Sequence, residues 1–517
     1  MVYLINPPLT KATEPHSGLA KLCGSLKANG YIAKVLDFNL EAQLDLISRN
    51  MDVKEKKVSQ ALSRVRKNLG TLRSLEIYNH PQKYERLVKE INRVLSLTKE
   101  DVFLSLQNIE YPGLASHRSE DLKRVYENPK LDFFYDFYSR ILPPLIERDK
   151  PLAMGISMVY LNQALSVFGL LGFLNQYYPG IKIIVGGSLV ECWEPLPGFD
   201  KLKAHCTQVS WVSGAGEEPL LRILDYRDKN ILQGSPDYSD VRELPYFAPG
   251  FILPYSLSVG CFYKKCRFCP ECLNPQSYWT QSFANARIEL EQLVEKNKPA
   301  LIHFIDNALS LAHLRGLAEY DLCVPWYGYS RFLPQLTDLD FVKALAKNRC
   351  AMLQLGLESG SQSVLDRLGK GIKLEQAATI LENLKKAGIL SFVYLLFGTP
   401  FDGEKEAEET LKLVKELAPY IDFLNLSIFY LPHEFVHDFQ VEHNQFSEGD
   451  LSLYTDFKHP ENWGRRAVRD FLTKRFKKEP EIKSILSRRP PYFTSNHGAF
   501  FNTRLFSVSG AKLGYGK

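Results

Sequence analysis

The stretch Tyr255-Ser-Leu-Ser-Val-Gly260-Cys261-Phe-Tyr-Lys-Lys-Cys266-Arg-Phe-Cys269-Pro-Glu-Cys272 joins a short apolar run to a loop holding four of the chain's nine cysteines. Tyr255 to Val259 reads as a strand and Gly260 as the turn that ends it. Five more strands follow in the same style, at Leu301 to Ile305, Pro325 to Tyr329, Met352 to Leu357, Ser391 to Phe397 and Phe423 to Ile428. The gaps carry helical patterns, such as Ala286, Leu290, Leu293 and Val294 on one face. Six consecutive βα units imply an α/β fold with an open, three-quarter version of the parallel barrel. In such barrels the chemistry gathers at the C-terminal rim of the strands, which is where the cysteine loop would emerge.

Clustering of this kind points to a metal site rather than to disulfides, which nine cysteines in 517 residues are too sparse to build as a scaffold. Thiolates packed into one loop can surround a cluster of iron and sulfide, and three of them leave one iron of a four-iron cluster open. A structural zinc site is the alternative, although its ligand pairs normally lie well apart and no histidine is near. Cys23, Cys192, Cys206, Cys323 and Cys350 lie in apolar stretches and are expected to be small core residues.

Upstream the chain opens as βαβ: Val2 to Ile5, a helix with Leu19, Leu22, Cys23 and Leu26 on one face, then Ala33 to Phe38. The pattern resumes at Leu152 to Ser157, a helix near Asn162 to Tyr177, Lys182 to Val185, and Gln208 to Val212, which implies a doubly wound parallel sheet. Between these pieces, from about Leu44 to Asp149, lies a helical insertion whose stripe of Val58, Leu62, Val65, Leu69 and Leu72 is expected to pack on the host domain. Gly234-Ser-Pro reads as a linker. The expected domains are therefore 1–235, Rossmann-like with the insertion at about 44–149; 236–430, the partial (β/α)6 barrel; and 431–517, a C-terminal region that would help bind substrate. Its aromatics Tyr454, Trp463, Tyr492 and Phe500 either line a pocket or simply pack.

A net charge of +5 over this length gives no concentrated field for nucleic acid or an anionic membrane surface. The first residues lack the basic region of a secretory signal, and no apolar stretch reaches the roughly 20 residues of a membrane span. A cytoplasmic protein acting on a small molecule or peptide is expected.

The cysteine loop resembles that of the radical S-adenosylmethionine (SAM) superfamily, whose signature has two residues between the last two of three cysteines and an aromatic before the final one, as Phe268 stands before Cys269. The first gap holds four residues rather than the usual three, so Cys261 or Cys272 completes the trio; Cys261 is preferred because it follows the strand directly. The resemblance implies a 4Fe-4S cluster on Cys261, Cys266 and Cys269, and covers about residues 236 to 430. It further implies that SAM meets Asp306 in Phe-Ile-Asp-Asn, Arg331 in Tyr-Ser-Arg, Glu358 in Gly-Leu-Glu-Ser-Gly-Ser-Gln-Ser-Val-Leu-Asp-Arg-Leu-Gly-Lys-Gly, and Gly398 in Phe-Gly-Thr-Pro.

The first domain resembles the cobalamin-binding-type domain of one large branch of that superfamily. Asn6-Pro-Pro, Leu36-Asp-Phe-Asn, Gly155-Ile-Ser, Val185-Gly-Gly-Ser and Gly214-Ala-Gly-Glu-Glu-Pro-Leu carry the likeness, and imply a cobalamin site at Pro8, Ser157, Gly186, Gly187, Gly214 and Glu217. No histidine, including His16 and His205, sits in the Asp-x-His-x-x-Gly motif that would supply a lower cobalt ligand. Together these imply a cobalamin-dependent methyltransferase acting on an unactivated centre of a small-molecule, peptide or lipid substrate, with a flavodoxin or ferredoxin as electron donor. A radical enzyme performing cyclisation, coupling or rearrangement without net methyl transfer, and a non-enzymatic iron-sulfur or zinc protein, are the alternatives.

Overall fold

The computed structural model describes residues 1–48, 56–97, 102–228, 230–272, 278–444 and 449–507. They form two compact units, one of Met1–Ser74, Gln82–Pro249 and Ser447–Leu453, the other of Leu75–Pro81, Gly250–Phe446 and Tyr454–Lys517.

The first unit is built on a five-stranded, wholly parallel sheet of Val2–Asn6, Ala33–Asp37, Ala153–Ser157, Lys182–Gly186 and Val209–Trp211. Numbered along the chain, these strands lie in the order 2-1-3-4-5. That order reverses direction between the first and third strands, the crevice at which open α/β sheets bind ligands. Val2, Leu4 and Ile5 are buried, as near-continuous apolar strands in a sheet covered on both faces must be. The insertion is helical over Lys56–Leu72, Pro81–Ser96, Ser119–Glu127 and Tyr135–Asp149, with a two-stranded ribbon of Phe103–Leu104 and Ile109–Glu110. Of its stripe, Val65, Leu69 and Leu72 are buried, while the side chains of Val58 and Leu62 lie outside the described residues. Residues following the expected linker pack on this unit, and Tyr246 donates a hydrogen bond of 2.6 Å to Asp37.

The second unit is a six-stranded parallel sheet in strict chain order, Ile252–Tyr255, Leu301–Phe304, Trp326–Ser330, Cys350–Glu358, Leu390–Phe397 and Phe423–Ile428, whose two end strands do not pair. It is the open parallel barrel expected from the sequence, with one correction at its start. The first strand ends at Tyr255, and Ser258–Val259 instead pairs antiparallel with Trp279–Thr280. The cause is Asp306, whose carboxylate accepts from the Leu257 N–H and the Ser258 hydroxyl and draws the chain out of the barrel wall. The cysteine loop therefore leaves from a side ribbon, not from the barrel strand itself. Among the described residues no helix is long and apolar enough to cross a membrane.

All nine cysteines are free. Cys23, Cys206 and Cys350 are buried as expected, but Cys192 and Cys323 are exposed, a correction to the core role assigned to them. Cys192 is the next-to-last residue of a short helix, Ser188–Trp193, and Cys323 sits in a tight turn with φ of 60°.

Candidate functional site

At the C-terminal rim of the second unit lies a cavity of about 780 Å³ lined by Cys261, Cys266 and Cys269 together with Asp306, Arg331 and Glu358. Six sequence-nominated side chains, from the cysteine loop and three successive strand ends, thus share one chamber. Gly398, the seventh, is not in its lining: it sits in a turn with φ of 78°, its N–H donating to Asp402 at 2.8 Å. Cys272 is not in the lining either. It packs beside Phe268 on an apolar cluster of Phe429, Leu431, Phe435, Val436 and Phe439. Cys266 is buried and Cys261 and Cys269 are half-buried, and burial pushes the Cys269 thiol up to about 11.

The cysteine loop is held from outside by the run Leu368-Gly369-Lys370-Gly371. Arg267 N–H donates to Leu368 O at 2.9 Å, and the Tyr263 hydroxyl donates to Gly369 O at 2.9 Å. Gly369 and Gly371 have φ of 66° and 65°, and an added Cβ would overlap Lys265 O at the first and the Tyr263 hydroxyl at the second. Only glycine satisfies both the left-handed backbone and the close approach. Arg331 closes the clamp: its guanidinium stacks on the Tyr263 ring at 3.4 Å, donates to the Cys266 sulfur at 3.4 Å and donates to Lys370 O.

In the same cavity, Lys370 Nζ donates to Glu358 Oε1 at 2.8 Å, and both side chains are nearly buried. The pair lies in the space left by Gly356, where a Cβ would collide with both head groups. A register shift between Gly356 and Glu358 and a φ of 65° at Glu358 turn that carboxylate into the cavity, as bulges beside active sites commonly do. The Asp306 carboxylate, raised above its ordinary range by burial, is bonded to its own chain at Leu257 and Ser258 while still facing the cavity.

Lys370 and Tyr263 were missed as functional candidates, although both stood inside quoted motifs. Gly-Lys-Gly stood only at the end of the quoted run around Glu358, and only the fold shows that it is stapled to the cysteine loop. The Tyr329 and Tyr394 hydroxyls, 3.1 Å apart, also line the cavity and were missed, because alternate barrel-facing residues look the same as core in sequence.

The first unit has its own cavity of about 290 Å³ at the reversal point of the sheet, lined by Leu4, Gly155, Ser157, Gly186, Gly187, Gly214 and Glu217. Five of the six residues nominated there are in its wall; Pro8 is buried outside it. Gly187 has φ of 110° and a Cβ on it would come to 2.5 Å from Met158 O, so this part of the wall is bare backbone by necessity. His16 also lines the cavity, which the sequence did not reveal. Its Nδ1 accepts from Leu19 N–H at 3.2 Å, so Nε2 carries the proton facing Ser157 Oγ at 3.0 Å. Desolvation lowers the imidazole to about 4.

A single metal ion demands donors converging on one point at about 2.0–2.3 Å. Among the described residues no group of three or more His, Cys, Asp or Glu does so. A polynuclear cluster needs thiols spread around a larger body, and three thiols on one chamber wall fit that requirement.

Over residues 255–414 the chain matches the family model of the radical SAM superfamily. It is similar to an uncharacterized methyltransferase of Pyrococcus horikoshii, 27% identical over 178 residues, covering 33% of this chain and 38% of that one. It is also similar to a tRNA-2-methylthio-N(6)-dimethylallyladenosine synthase of Natranaerobius thermophilus, 21% identical over 281 residues, covering 50% of this chain and 60% of that one. The chain thus spans less than two thirds of either curated relative. Among solved structures, the radical S-adenosylmethionine methyltransferase TsrM of Kitasatospora setae, with cobalamin and a 4Fe-4S cluster bound, shares the fold with a TM-score of 0.50 at 14% identity, covering 83% of this chain and 75% of that one. The family match falls on the middle four barrel strands, the cysteine loop and the strand-end residues Asp306, Arg331 and Glu358 of the rim cavity, so that this part of the chain is similar to the radical SAM superfamily.

Proposed function

We propose that the chain is a cobalamin-dependent radical SAM enzyme that methylates an unactivated centre of a small-molecule, peptide or lipid substrate. The observation that carries this reading is the single chamber that gathers Cys261, Cys266 and Cys269 with Asp306, Arg331 and Glu358. In it the three thiols would hold a 4Fe-4S cluster with one open corner, and Asp306, Arg331 and Glu358, with the Gly398 turn nearby, would receive SAM. Ser157, Gly186, Gly187, Gly214 and Glu217, with Pro8 behind them, would hold cobalamin. When bound, the cluster and SAM supply a deoxyadenosyl radical and cobalamin supplies a methyl group.

The chain's own residues do the positioning. Arg331 places a guanidinium N–H 3.4 Å from the Cys266 sulfur, and the Gly369–Gly371 run fixes the loop that carries it. Lys370 neutralises Glu358 inside the cavity, so that the pocket presents a paired rather than a bare carboxylate. In the first unit, neither nitrogen of His16 is free to ligate cobalt, one accepting from Leu19 N–H and the other facing Ser157, so that cobalamin would be held without a histidine ligand from this wall. Free cysteines throughout suit the reducing cytoplasm, where a flavodoxin or ferredoxin would supply electrons.

The test is anaerobic reconstitution with iron, sulfide and cobalamin, then reduction with SAM present. Deoxyadenosine and S-adenosylhomocysteine together, with a methylated product, are expected. Deoxyadenosine without S-adenosylhomocysteine would instead indicate rearrangement chemistry, and neither product would refute the reading.

A further inference from the structure

The mouth of the rim cavity is edged by Tyr430 and Tyr454, 45% and 43% exposed, with ring centroids 5.7 Å apart. Exposed aromatics beside a cavity make a contact platform rather than a core. Arg465 lies over the Tyr430 ring, its guanidinium 3.9 Å from the centroid. Stacking uses the face of the guanidinium and leaves its N–H edge available. That edge is not taken up: Arg465 Nε is buried without a hydrogen-bond partner, as is the indole Nε1 of Trp463 two residues earlier. A buried donor left unmade is costly and calls for a partner.

The segment is also rigidly placed at the rim. His459 Nδ1 accepts from Glu461 N–H at 3.1 Å and Trp463 N–H at 3.3 Å, so its Nε2–H donates to Thr399 O at 2.8 Å, in the turn after the fifth barrel strand. The helix Arg465–Lys474 that follows rests on the same turn, with Val468 Cγ2 3.1 Å from where a Cβ on Gly398 would be. The cation is thus held in advance of any ligand, in the region where barrel loops select substrates.

We propose that Arg465 anchors a carboxylate or phosphate group of the substrate, with Tyr430 and Tyr454 flanking it at the cavity mouth. The active substrate class is then anionic. This rests on the reading of the cavity as the reaction chamber, but its test does not need the cluster. Isothermal titration of the purified full chain, without iron, sulfide or SAM, is run separately with sodium phosphate and with succinate. Saturable binding of at least one is expected, weakened roughly tenfold or more in R465Q, since bidentate charge-assisted bonds are lost. The tighter of the two anions identifies whether phosphate or carboxylate is the natural group. Should R465Q not fold, R465K carries the test, because it keeps the charge and loses the fork, and several-fold weaker binding is expected. No saturable binding to the wild-type chain, or equal binding by the folded variant, overturns the proposal. A chain that binds an anion through Arg465 yet assembles no cluster would sink the proposed function alone.

Discussion

Gly371→Ala is expected to disorder the cysteine loop from a distance, without touching a cysteine. Alanine at φ of 65° costs about 1–2 kcal/mol in backbone strain. Its Cβ would overlap the Tyr263 hydroxyl, so that ring has to swing away. The bond to Gly369 O is then lost, about 1 kcal/mol, and the desolvated stack on Arg331 is loosened, which is worth up to about 2 kcal/mol. A net loss of roughly 3 to 4 kcal/mol follows if the terms act together, or about 6–15 °C in the melting of a unit this size. Thermal unfolding by circular dichroism reads the first effect, and alkylation of Cys266 with peptide mass spectrometry reads the second, with at least a tenfold faster reaction expected as burial is lost. Gly180→Ala, where a Cβ meets nothing within 4 Å, should change neither. A Gly371→Ala protein that melts within 2 °C of wild type and alkylates Cys266 no faster would refute the clamp.

Three other outcomes are expected. Lys370→Met should destabilise by about 3–5 kcal/mol because it strands Glu358 in a buried site, while K370M/E358Q should recover much of that, as denaturant melts of the pair would show. His16 is held near 4 in the folded state against an ordinary value of 6.5, so the unfolded chain binds more protons between those values and stability falls as pH drops through that window. Because His16 is partly open to its cavity, the loss should be roughly 2 kcal/mol by pH 4, and His16→Gln should flatten the dependence. Cys272→Ser should leave iron content after reconstitution unchanged, whereas serine at Cys261, Cys266 or Cys269 should each abolish it, because Cys272 packs on the Phe429 cluster rather than on the chamber wall.

Much of both units was legible because parallel strands buried on two faces are short apolar runs with a fixed rhythm of helices between them. Leu301, Leu390 and Phe423 begin real strands within one residue of where periodicity put them. The first barrel strand was misplaced because its end is decided by Asp306, some 50 residues away, and no local pattern encodes such a contact. Asp306, Arg331 and Glu358, singled out at strand ends, line one cavity, yet their local commitments were invisible: Asp306 pins the chain at Leu257, and Arg331 stacks on Tyr263. Tyr430, Tyr454 and Arg465 come together from separate tail segments, where side-chain type alone does not tell a rim from a core.

The central claim is a cluster held by three thiols with one corner free for SAM. Mössbauer spectroscopy of the protein reconstituted with iron-57, recorded before and after SAM is added, tests it most directly. A 4Fe-4S signal in which one iron changes its environment on adding SAM is predicted. A cluster whose irons are all indifferent to SAM, or a protein that takes up zinc and no iron, would contradict it.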